Sequence, residues 1–254
     1  MRKFLVIILF IPAIGFAKTQ TEYYTITAYH FKEAQQEVAL DTYLQTAYLP
    51  ALHRKGKTAV GVFKPIANDT ATDKLIYIII PFKSLDEMQA LQNALMQDAT
   101  YMLAGKDYIN ASYQSPPYSR METIVLEAFE LSPQMNLPKL SSNKQDHIYE
   151  LRSYESPTES YYHNKVKMFN AGGEIGIFSR LNFNAVFYGN VIAGCRMPNL
   201  MYMTSFENMT ERDAHWKSFT DDPATKKLFA MDEYKNNVSK ADIILMHAAS
   251  YSDY

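Results

Sequence analysis

Charged residues alternating along an apolar strand are the best candidates for chemistry in this chain. Residues 148–154 read Ile-Tyr-Glu-Leu-Arg-Ser-Tyr, and a strand sends successive side chains to opposite faces. Glu150, Arg152 and Tyr154 therefore share one side with Ile148, and Tyr149 and Leu151 share the other. Helices packed on a sheet need apolar cover. That assigns Tyr149 and Leu151 to the helices and points Glu150, Arg152 and Tyr154 into the space the sheet encloses. There the planar fork of Arg152 would bind a carboxylate or phosphate, with Glu150 holding the arginine or accepting a proton. Arg212 lies on the apolar stripe of a later helix with Met209, Trp216 and Phe219 and is a further anion contact. The expected site is thus Glu150, Arg152, Tyr154 and Arg212, and the expected ligand a small anion. The competing reading is structural: Glu150 and Arg152 neutralise each other or Arg196, as buried pairs do without any ligand. Arg212 would then lay its stem along the core edge.

Other chemistries leave no signature. His30, His53, His147, His163, His215 and His247 form neither HxH nor HExxH spacing, and with one cysteine there is no CxxC. No metal site is expected. His215 and His247 could serve as a base or haem ligand, but surface or satisfied histidines are the plainer reading. Gly105 and Gly172-Gly173 lack the strand-to-helix context of a phosphate loop, and no GxSxG elbow occurs. Neither a catalytic residue nor a cofactor is assigned. Cys195, in Ala-Gly-Cys-Arg beside a turn, reads as structural. Asn-x-Ser/Thr triplets begin at Asn68, Asn110, Asn208 and Asn237, and Asn208 is better explained as a helix cap.

The elements that position these residues come in two similar sets. Tyr23 to Tyr29 alternates as a strand; a helix follows over about residues 32–54. Thr58 to Phe63 and Leu75 to Phe82 are strands, Ser84 and Glu87 make a capping box for a helix through about Met96, and Met121 to Phe129 is a fourth strand. Residues 130–146, with Pro133 and Pro138, read as a linker. The order then repeats. His147 to Tyr154 is a strand and Ser156-Pro157-Thr158-Glu159 starts a helix, with Pro in the first turn. Strands follow at Asn184 to Gly189, Leu200 to Phe206 and Asp242 to Met246, with a helix between the last two that Asp222-Pro223 stops. Tyr29 matches Tyr154, Phe82 matches Phe206, Ser84 matches Asn208, Glu87 matches Glu211, and Ser119-Arg120 matches Ser239-Lys240. A duplicated β-α-β-β-α-β plan follows: residues 22–129 are one ferredoxin-like repeat and 147–250 the other. Each sheet has helices on one face only, so the open faces meet. The fold class expected is α+β, a dimeric α/β-barrel within one chain. The counterparts of Glu150, Arg152 and Tyr154 are Thr25, Thr27 and Tyr29, so the polar equipment of the two repeats differs.

Residues 147–250 resemble the NIPSNAP family. The likeness rests on Tyr149-Glu150-Leu151-Arg152-Ser153-Tyr154, then Asn199 before an apolar strand, Thr210-Glu211-Arg212, His215-Trp216 and Asp221-Asp222-Pro223. One departure is Thr225, where members of the family usually carry Trp. The resemblance implies the same dimeric α/β-barrel fold, and a binding or interaction module of poorly defined activity. Fold analogy alone supplies the alternative, a small barrel enzyme: a monooxygenase, isomerase or haem protein.

Length and composition bound the rest. A chain of 254 residues with 47% apolar and 20% charged residues can bury a core. Its 19 tyrosines against one tryptophan suit half-buried faces where a ring packs and its hydroxyl finds a partner. Arg2 and Lys3, the apolar run Phe4 to Phe16 and Gly15-Phe16-Ala17 read as a signal peptide, residues 1–17, cleaved after Ala17. The run is too short to span a bilayer. Export to a periplasmic or extracellular location is expected, with no integral membrane segment in the mature chain. Losing Arg2 and Lys3 takes the formal charge from −2 to −4, a poor match for nucleic acid. A homo-oligomer is compatible with this sequence.

Overall fold

The computed structural model describes residues 20–194 and 196–254. The segment read as a signal peptide and Cys195 lie outside the described residues. The first half runs β1 (Tyr23–Phe31), α1 (Ala34–Tyr43), α2 (Leu49–Arg54), β2 (Gly61–Pro65), β3 (Lys74–Phe82), α3 (Leu85–Met96), α4 (Ala99–Ala104), α5 (Lys106–Ile109) and β4 (Arg120–Ala128). The second runs β5 (Ile148–Glu155), α6 (Glu159–Phe169), α7 (Glu174–Arg180), β6 (Asn184–Ala193), β7 (Asn199–Phe206), α8 (Met209–Asp221), α9 (Pro223–Ala230) and β8 (Lys240–Ala248). The strands close one antiparallel barrel in the order β1-β3-β2-β8-β5-β7-β6-β4. Each half supplies four neighbouring strands, and the halves are stitched where β2 meets β8 and β4 meets β6. This is the α+β barrel with helices outside that the duplicated plan requires.

The two sheets correspond residue by residue. Thr25, Thr27 and Tyr29 of β1 lie opposite Ile80, Ile78 and Ile76 of β3. Glu150, Arg152 and Tyr154 of β5 lie opposite Thr204, Tyr202 and Leu200 of β7. The helix after the third strand starts alike in both halves: Ser84 accepts the Glu87 amide at 3.1 Å and Asn208 accepts the Glu211 amide at 3.0 Å. Only this side of the expected capping box at Ser84 forms. Glu87 instead accepts from the Lys83 amide and from Lys57 Nζ.

The orientation expected for β5 is reversed. Tyr149 and Leu151 point into the barrel, among Tyr24, Ile26, Phe63 and Met203, while Ile148, Tyr154 and Tyr202 belong to the layer beneath the second-half helices. The physical reason is space. An eight-stranded barrel is just wide enough for side chains to fill it, and here apolar and aromatic side chains form a core inside it. Tyr254 completes that filling, its ring 5.2 Å from Phe63 and 6.1 Å from Tyr149. Glu150 and Arg152 therefore turn outward, where helix side chains pair with them, while the small Ser153 and Ser205 share the inward side.

Two smaller corrections concern helix ends. Thr158, with extended φ of −150°, is the residue before α6, so Pro157 precedes the helix rather than occupying its first turn. Asp222 ends α8 and at once caps α9, its Oδ1 accepting the amides of Ala224 at 2.9 Å and Thr225 at 3.1 Å. Pro223 then sits where a missing N–H costs nothing.

Candidate functional site

The second half gathers Glu150, Arg152, Tyr154 and Arg212 beneath α8. Glu150 is fully buried. Its Oε1 accepts from Arg152 Nε at 2.5 Å; its Oε2 accepts from Arg212 Nε at 2.6 Å and from the Trp216 indole at 2.9 Å. The Arg152 guanidinium lies 3.6 Å from the Trp216 ring and donates to the Tyr154 hydroxyl at 2.9 Å, which in turn bonds Tyr202. Burial works against the charge on Arg152, but the neighbouring Tyr202, Tyr154 and Glu150 outweigh it and raise its pKa. The hydrogen bond to Glu150 raises that of Arg212. A second buried pair, Lys165 with Glu174 at 2.9 Å, lies in the same layer. Arg196 takes no part: it pairs with Glu155 and Asp242. Arg212 also donates to Asp213 at 2.8 Å, so two carboxylates face two guanidiniums and the charges of the network balance. Phe178, Phe183 and Phe219 pack around Trp216, and a separate groove of about 360 Å³ borders the layer at Ile175, Phe183, Ala185 and Tyr188.

The first half leaves the matching space open. A cavity of about 460 Å³ lies between the sheet and the helices, within the size range of small-molecule sites. Its floor is Thr25, Thr27 and Tyr29 of β1, with Ile78 and Ile80 of β3 and Thr123 of β4; α3 adds Met88, Gln92 and Leu95. The common register shows why one half is full and the other empty. Thr25 and Thr27 stand at the places of Glu150 and Arg152, and Ile78 at that of Tyr202. Counting from the matched caps, Met88 and Gln92 stand at those of Arg212 and Trp216. Each replacement is smaller or uncharged. Among the described residues the lining contains no Asp, Glu, His, Lys or Arg.

Tyrosines make the polar part of this wall. Tyr108 donates to Tyr29 at 3.0 Å, and Tyr43 and Tyr101 bond at 2.9 Å. The rings of Tyr43 and Tyr108 stack at 3.6 Å with planes 6° apart. Burial pushes Tyr29 up to about 12 and also raises Tyr43 and Tyr108, so these groups stay phenols. Tyr48 reaches the cavity because a π-helical turn, Leu44–Tyr48, separates α1 from α2. Pro50 explains that turn: it lacks the N–H that would bond the Thr46 carbonyl, and its ring crowds that carbonyl. In an ordinary α-helix, residues five apart point about 140° away from each other. The i→i+5 turn brings Tyr43 and Tyr48 nearly into line, with rings 5.6 Å apart and 21° from parallel.

The sequence reading missed this cavity. It assigned no element between residues 97 and 120, where α4 and α5 supply Tyr101 and Tyr108. A signal existed: Asp98 before Ala-Thr-Tyr-Met-Leu-Ala is a cap, accepting the Tyr101 amide at 3.0 Å. His215 and His247 donate to the backbone carbonyls of Glu211 and His147. Gly173, with φ of 89°, makes the turn between α6 and α7. Asn68 bonds both backbone groups of Leu75.

No family model matches the chain, and no curated protein matches it in sequence. Solved structures do match. A presumed monooxygenase from Lactobacillus acidophilus is 11% identical, with a TM-score of 0.57 over 90% of this chain and 94% of its own. Another from Fusobacterium nucleatum is 9% identical, with a TM-score of 0.57 over 91% and 93%. A NIPSNAP-like domain protein from Burkholderia xenovorans, 15% identical, covers 42% of this chain and 90% of its own, with a TM-score of 0.38. At these identities the first two share the fold with this chain: it is a dimeric α/β-barrel.

Proposed function

We propose that this protein is an exported small-molecule-binding barrel, with no reaction of its own, whose ligand occupies the first-half cavity. The observation that carries the reading is the unequal fate of two matched places, one filled by Trp216, Arg152 and Glu150 and the other open. In this reading Glu150, Arg152, Tyr154 and Arg212 are the structural filling of the closed layer. The NIPSNAP-like residues between 147 and 250 support a common origin of the second half with that family.

The rival reading is enzymatic, and the description of two relatives as presumed monooxygenases favours it. Proton abstraction needs a base that titrates near neutrality. The cavity wall offers phenols, threonine hydroxyls and one amide. A haem needs an axial ligand and partners for its propionates; among the described residues the wall offers no imidazole and no cation, and does not fit one. An absorbance scan checks this directly, since a Soret band in the purified protein would reinstate the haem reading.

The binding reading is tested by thermal shift with a metabolite collection on wild type, Gln92→Trp and Arg152→Met. A ligand at a hundredfold excess over its Kd adds about 2.7 kcal/mol of stability. The expected ligand stabilises wild type and Arg152→Met alike, the latter from a lower baseline, and leaves Gln92→Trp unmoved. An anion that stabilises wild type and Gln92→Trp but not Arg152→Met would relocate the site to Arg152 and Arg212.

A further inference from the structure

The second half carries a planar fused ring of its own at the place that matches the open cavity. Trp216 lies with one face on Arg152 at 3.6 Å and donates its N–H to Glu150 at 2.9 Å. Its other neighbours are aromatic, Phe178 at 5.7 Å and Phe183 at 5.0 Å, both close to perpendicular. The first half keeps the geometry and omits the occupant. Gln92 replaces the indole, Thr25 the carboxylate that receives the indole N–H, and Thr27 the guanidinium beneath it. The aromatic surround is kept in kind, with Tyr43, Tyr48, Tyr101 and Tyr108 as the walls.

We propose that the first-half cavity takes a neutral, planar, fused-ring ligand of indole size or larger, seated as Trp216 is seated in the second half, with a ring N–H or hydroxyl bonded to Thr25. The proposal rests on the reading of this cavity as a ligand site and names the class of ligand. Planarity follows from the walls, since aromatic rings pack best against rings in stacked or edge-on arrangements. Neutrality follows from the floor. Among the described residues the lining holds no charged side chain, and a buried charge without a partner is too costly to desolvate. The polar handle follows from Thr25, which is 7% exposed and can both donate and accept. In the second half the same position receives the N–H of Trp216.

Isothermal titration with four probes tests this. Indole and 2-naphthol are neutral and fused, naphthalene-2-sulfonate carries a charge on the same ring, and 1-decanol is neutral but flexible. Wild type should bind indole and 2-naphthol one to one, and the other two at least about tenfold more weakly. Gln92→Trp, which puts an indole into the cavity, should abolish 2-naphthol binding without lowering Tm. Met88→Trp, at the place matched by Arg212, serves the same purpose if Gln92→Trp melts early. Thr25→Val should weaken 2-naphthol by roughly two- to tenfold, the worth of one hydrogen bond. Equal binding of the sulfonate or of decanol, lost in Gln92→Trp, would overturn the ligand class and leave the cavity as a site. Failure of all four probes to bind, or binding untouched by both tryptophan variants, would overturn both.

Discussion

Glu150 holds two arginines and an indole N–H while shut off from water, so its charge is the pivot of the closed layer. Glu150→Gln preserves the shape but strands the buried Arg152 without a counter-charge and leaves Arg212 only Asp213 at the surface. Breaking a buried pair this way costs about 3 kcal/mol or more, a fall of roughly 6–12 °C in Tm for a chain of this size. A melt superimposable on wild type would show that solvent already shares these charges. Glu207 is the carboxylate pushed furthest from its ordinary value among the described residues. Hydrogen bonds from Ser142 and Ser141 lower its pKa from 4.5 to about 2. Because the folded value lies below the unfolded one, its contribution is full above about pH 4.5 and is lost as pH falls toward 2. The Tm difference between wild type and Glu207→Gln should therefore shrink over that window; a constant difference would refute the assignment. The pairing of Glu150 with Arg152 was legible from their spacing on one strand face. Which face looked inward was not. Strands of such a barrel are buried on both sides, so Tyr149 and Leu151 are no more apolar a set than Ile148 and Tyr154.

Helix starts are the clearest sign of duplication among the elements. Ser84 and Asn208 make the same bond at the same place in each half, and alanine at either should cost about 1 kcal/mol, read as parallel shifts in denaturant midpoint. A loss confined to one half would mean that the two caps do different work. The long helices and all eight strands could be read from periodicity, with boundary errors where chain segments pair at the barrel seams. β6, for example, continues past Gly189 to Ala193 because β4 lies beside it. Short helices were not legible. α4 and α5 are too brief to show a period, and Asp222-Pro223 looks like a stop because a cap and a break use the same residues. The π turn before Pro50 was equally hidden, though the proline that causes it stood in plain view.

On the scale of the whole molecule the two halves are one closed barrel, and neither half alone can cover the inner face of its sheet. Residues 147–254 expressed without the first half should self-associate or aggregate; a well-behaved monomer with cooperative unfolding in sedimentation and melting experiments would contradict a shared core. The offsets between repeats already implied this closure, since two sheets each open on one face need one another. What no offset could reveal was the difference in filling, because it depends on which side chains meet across sheet and helix. The layer that Trp216, Arg152 and Glu150 fill in the second half is left for a ligand in the first. A crystal structure of the protein grown with 2-naphthol tests it most directly. Two fused rings should lie between α3 and β1, beside Tyr43, Tyr48, Gln92 and Thr25, with the network around Glu150 unchanged. A first-half layer closed by its own side chains, or rings lodged against Arg152 in place of Trp216, would contradict it.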